Sequence, residues 1–166
     1  MFFKRKITVS EYCTTRLDLL FSSQQTELWL QLKQAWPDKA IVTANDDLYL
    51  TNIRAAHIEV LSMAVTKKYA DIYISIEMSK SINNFLDNHA QSTIKNILWL
   101  YERALASIPQ DGILGIAQFL AEIICQNNCL QDTVLAFGGQ LYGALESIRA
   151  DFKQIKIVPN PNVSIL

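Results

Sequence analysis

The chain has 166 residues, half of them apolar, with 15 basic and 16 acidic side chains and a pI near 6.1. That length suits one domain with a sizeable core. The net charge of −1 excludes an overall field that would draw in nucleic acid or an anionic membrane, and no apolar run approaches the about 18 residues needed to cross a bilayer.

Residues 1–13 open with two phenylalanines and the basic cluster Lys4, Arg5 and Lys6, then turn polar, unlike the apolar run of a cleaved signal. Two rings and three charges touch a membrane surface only weakly, so no stable membrane anchoring is expected. Cys13, Cys125 and Cys129 are an odd count in a domain large enough to need no staples, which favours free thiols and a cytoplasmic setting. The stretch CQNNC offers half of a zinc site with no second pair nearby, and neither metal nor cofactor is expected.

Thr8 and Glu11 form a capping box ahead of Val9, Cys13, Leu17, Leu20 and Phe21, whose spacing predicts the first helix. Leu28, Leu32, Ala35 and Trp36 predict a second, stopped by Pro37. Residues 37–46 read as a connection, closed by Asn45 and Asp46 as caps for a third helix that runs to about Tyr69. On that helix Leu50, Ile53, His57, Val60, Leu61 and Ala64 share the inward face, and Glu59 points outward. Ile72, Ile74, Ile76 and Met78 alternate as in a strand, but no other segment offers a partner, so residues 71–88 are predicted helical. Asn88, Gln91 or Ser92 caps a fifth helix bearing Ile94, Ile97, Leu98, Tyr101, Leu105 and Ile108, ended by Pro109 and the Asp111, Gly112 turn signal. The sixth helix carries Ile113, Ile116, Ala117, Leu120 and Ile124 inward. The seventh presents Val134, Leu141, Leu145, Ile148, Phe152 and Ile155 on its large side.

The small side of that last helix is Ala136, Gly139, Gly143, Ser147 and Ala150. Each interior glycine costs about 1 kcal/mol against alanine, so something should offset Gly138, Gly139 and Gly143. Three accounts fit: a central helix with another layer against its small side, a symmetric dimer contact through it, or a break between Gly138 and Gly139. Trp99 projects away from the core stripe of its helix and needs cover from another segment or from a partner.

Catalytic signatures are missing: no phosphate-binding glycine loop, no metalloprotease or nucleophile-elbow motif, and no repeated Glu-x-x-His pair. His57 is the one acid or base to watch, with Arg54 one turn before it favouring the neutral ring. Basic residues are scattered in short groups such as Lys67 with Lys68 and Lys153 with Lys156, so no nucleic-acid partner is expected. The expectation is a single all-α bundle of six or seven mostly antiparallel helices over residues 1–157, with an extended tail at 158–166. Its expected role is non-catalytic protein association, as a homodimer or with an unidentified protein partner, with Ala136, Gly139, Gly143, Ser147 and Trp99 as interface candidates. The alternative is a small apolar ligand in the core, with His57, Tyr101 and Phe137 as its binding residues.

Overall fold

The computed structural model describes residues 4–126 and 130–161. Among these the chain is all-α, with eight helices and one short pair of strands. After β1 (Arg5–Thr8), the capping box sets the start of α1 (Val9–Leu20): Thr8 Oγ1 accepts from the Glu11 N–H at 3.2 Å, and Glu11 Oε2 accepts from the Thr8 N–H at 2.9 Å. Ser22 caps α2 (Ser23–Gln34). The stretch expected to be a connection holds one extra helix, α3 (Lys39–Thr43), because Asp38 accepts from the Ala40 N–H at 2.9 Å and supplies a start signal.

Asn45 caps α4 (Asp46–Tyr69) as expected. This helix is buried on nearly every side, by Tyr49, Asn52, Ala56, Val60 and Met63 as well as by the predicted stripe. It forms the axis of the bundle, with α5 (Ile72–Asn88), α6 (Ser92–Ser107), α7 (Gly112–Cys125) and α8 (Gln131–Gln154) packed around it. Asp71 caps α5, and the alternating run is helical: Ile74 and Met78 face the core while Ile72 is 66% exposed. None of the residues proposed to cap α6 does so with its side chain; the preceding helix instead closes through Ala90 in the left-handed region and the Gln91 N–H on Leu86 O at 2.8 Å.

Helix α8 is continuous through all three glycines, which rules out a break, but it stops at Gln154. Ile155 is not on its large face, as expected, but opens β2 (Ile155–Val158), which pairs in parallel with β1, Arg5 against Ile155 through Thr8 against Val158. Around this clasp Tyr12 Oη donates to Asp151 Oδ2 at 2.8 Å, Arg16 Nε donates to the same oxygen at 2.8 Å, and the Asn160 N–H donates to the buried Glu77 at 2.8 Å. On the opposite flank the buried Lys33 ammonium donates to Val42 O at 2.9 Å and pairs with Asp46 at 2.9 Å, fastening α2 and α3 to the start of α4.

Candidate functional site

The five glycines fall into two groups. Gly112 and Gly115 begin α7 where it crosses α6, and a Cβ added at Gly115 would stand 2.2 Å from Ala104 O. At Gly112 the nearest atoms would be Leu105 Cδ1 at 2.6 Å and Leu105 O at 2.7 Å. Gly112 is therefore not a turn glycine, as its place beside Asp111 suggested: no glycine has a positive φ, and the left-handed helix ends are Ala70, Ala90 and Gln126. Gly138 is buried near Ala117 Cβ, 3.9 Å from an added Cβ. Gly139 and Gly143 have nothing within 4 Å.

The small side of α8 is consequently solvent-facing, with Ala136, Gly139, Gly143 and Ser147 all exposed, and no second helical layer covers it among the described residues. Ser147 is partly engaged within the chain: its carbonyl accepts from Arg16 Nη2 at 3.0 Å and its hydroxyl from Nη1 at 3.3 Å. The open part of the face is therefore Ala136, Gly139 and Gly143.

Beside it runs an apolar groove of about 280 Å³. Helix α4 supplies its floor through His57 and Leu61, Trp29 and Leu32 of α2 form one wall, and Gln140, Ala144 and Ile148 of α8 form the other. Leu19 and Leu32, at its rim, are large apolar side chains left exposed. Gln140 Oε1 is buried without a hydrogen-bond partner.

His57 is the only one of the three ligand-binding candidates that reaches this groove. Its Nδ1–H donates to Ile53 O at 2.8 Å, and its ring lies 5.1 Å from that of Trp29, which leaves Nε2 as an acceptor. Burial lowers its pKa, so the ring is neutral near pH 7. Arg54 is not the cause, contrary to expectation: its guanidinium lies 4.9 Å over the Phe21 ring and donates to Thr26 Oγ1 at 2.8 Å. Tyr101 and Phe137 fill space rather than line it. The Tyr101 hydroxyl donates to Asn52 Oδ1 at 2.8 Å in the core, and Phe137 stacks on Trp36 at 4.9 Å.

Trp99 is 52% exposed, with the Arg103 guanidinium 5.6 Å over its ring and no chain segment covering it among the described residues. Glu59 corrects the helical-wheel reading, since it is half-buried where α6 covers α4. Burial, then the nearby Glu102 charge, pushes its pKa up to about 7. Burial likewise pushes the Cys13 thiol up to about 12. Cys129 lies outside the described residues, and among those described no three His, Cys, Asp or Glu side chains converge as metal ligands. No helix among them is long and apolar enough to cross a membrane. Compared with family models, curated proteins and solved structures, the chain matches none.

Proposed function

We propose that the protein acts by association, as a homodimer whose subunits meet through the open side of α8 and the groove beside it. The observation that supports this is the empty space over Gly139 and Gly143, which cost helix stability and receive no contact in return from the described residues. Two such faces across a two-fold axis bring backbones close enough to recover dispersion contact. The unpaired Gln140 Oε1 and the exposed Leu32 beside them supply an acceptor awaiting a donor and apolar surface awaiting cover. A cytoplasmic setting is part of the proposal, supported by the odd cysteine count and the unreactive Cys13 thiol.

Sedimentation velocity of the wild type and of Gly143→Leu tests it. The wild type is expected to be dimeric and the variant monomeric with its helix content retained, because the new side chain meets nothing in its own subunit. A monomeric wild type, or a variant that stays dimeric, rejects the reading. The second reading, a small apolar ligand, is favoured by the same groove rather than by the core, since the groove is close to the lower end of ligand-pocket sizes, about 300 Å³. Native mass spectrometry separates the two by reporting subunit number and co-purified ligand together.

A further inference from the structure

We propose that the end of the molecule formed by the strand pair and the C-terminal turns of α4 and α8 docks reversibly on an anionic lipid bilayer. In sequence its cations are three separated groups: Lys4, Arg5 and Lys6; Lys67 and Lys68; and Arg149, Lys153 and Lys156. Folding gathers them. Tyr69 accepts from the Ile157 N–H at 3.0 Å and sets its ring 5.7 Å from that of Phe152, which brings the end of α4 against the end of α8. The Lys4 ammonium donates to Phe152 O at 2.6 Å, and Lys67, Lys68 and Arg149 share the wall of one depression of about 330 Å³. All eight side chains are exposed, and they are eight of the fifteen Lys and Arg residues in the chain.

The carboxylates at this end keep their charge, Glu11 acting on Arg5 and Asp111 lining the depression with Lys67, Lys68 and Arg149, but most have hydrogen-bond partners of their own. Asp151 is held by Arg16 and Tyr12, Glu11 by the α1 capping box, and Asp71 and Asp111 by helix caps. Among the described residues Glu146, on Arg149 at 2.5 Å, is the one acid in an ion pair with any of the eight. Helix dipoles account for Lys67, Lys68 and Lys153, which sit in last turns. They do not account for Lys6 and Lys156, which are register partners with side chains on the same outer face of the ladder, an arrangement of like charges that opposes strand pairing. An anionic surface relieves that repulsion.

Six of the eight cations are lysines, point charges suited to a diffuse surface rather than forks suited to a fixed phosphate. Tyr69 and Phe152 are turned into the clasp, but the exposed Tyr142 lines the depression with Lys67, Lys68 and Arg149, so the choice of a bilayer over nucleic acid rests on the lysine charges and on the displacement experiment below. Three N-terminal charges are too few for such docking, whereas a cluster of four to eight suffices. With a net charge of −1 the remainder of the chain is acidic, so the molecule meets an anionic surface in one orientation.

Flotation of the full chain with phosphatidylcholine vesicles containing about one-third phosphatidylserine, against pure phosphatidylcholine, tests this. The expected result is retention on the anionic vesicles alone, released by raising salt to about 0.5 M. Lys6→Glu with Lys156→Glu should weaken retention by about tenfold or more. Lys67→Gln with Lys68→Gln, which leaves the strands untouched, should weaken it less, and Lys80→Glu on the exposed side of α5 should leave it unchanged. Equal retention on neutral vesicles, retention on neither, or undiminished binding by the Lys6, Lys156 variant overturns the proposal. Displacement from vesicles by a short DNA duplex at equal charge concentration overturns it in favour of nucleic acid. None of these substitutions lines the α2–α8 groove, so the dimer experiment stands or fails independently.

Discussion

Gly112 and Gly115 differ from Gly139 and Gly143 in what surrounds them, although all four are helical glycines. The first pair is pressed against the α6 backbone so closely that any Cβ would collide with a carbonyl oxygen; the second pair faces open space. Close approach therefore repays its cost within the fold at α6–α7 and leaves it unpaid on α8. A helical glycine is repaid by a near neighbour, and the α8 pair has none among the described residues.

The sharpest way to break this contrast is Gly115→Ala. Its new methyl carbon must move a backbone carbonyl that no rotamer change can relieve, so we expect a loss of about 3 kcal/mol or more, read as a lower melting temperature. An unaltered melt would mean that α6 and α7 are not in such close contact.

The crowded side also carries a pH-dependent handle, because α6 presses Glu102 toward Glu59 on its other flank. A carboxyl whose folded pKa is about 7 holds a proton that the unfolded chain has lost above its ordinary range near 4.5. The folded state is thus favoured by this group at low pH, and that stability is lost as pH rises from about 4.5 through 7. Glu59→Gln should stabilise the protein by about 2 kcal/mol at pH 8 and have little effect at pH 4. Denaturant melts at both pH values check the sign, and a variant less stable at pH 8 would contradict it.

Tyr101→Phe sharpens the distinction between core and site. Removing the hydroxyl leaves Asn52 Oδ1 buried without its donor and should cost about 1–2 kcal/mol, with no change in anything bound at the groove. On the open side, Gly139→Ala should raise the stability of the isolated subunit by up to about 1 kcal/mol, since the methyl gains helix propensity and meets no atom. A destabilised monomer would show that the face is covered after all.

What was legible in the sequence was local. The Thr8 and Glu11 box, the Asn45 cap and the stripes of α6 and α7 each lie within a few residues, where backbone chemistry decides the outcome. The helical reading of Ile72 to Met78 held because a strand there had no partner. The helical wheel failed for Glu59, since over the middle of α4 a neighbouring helix, α6, covers the side that the wheel leaves outward. Gly112 and Gly115 passed for a turn signal and an unremarked neighbour, because crowding by Ala104 and Leu105 depends on how two helices cross. The strands at the termini gave no signal of their own: four residues each are too short for alternation to stand out, and each is a strand only because of the other. At the candidate site, the small face of α8 was readable from spacing, but not the groove, which four helices build together.

That terminal pairing sets an order of events during synthesis. β1 leaves the ribosome about 150 residues ahead of β2, its partner. At about 5–20 residues per second it waits roughly 8–30 s before the ladder can close. Throughout that interval Ile7 lacks the cover of Ile157, and the Arg16 and Tyr12 side chains lack Asp151. The nascent chain therefore carries an unpaired, basic strand while the central helices assemble, and the last turn of α8 with the strand after it acts as the latch that closes the ladder.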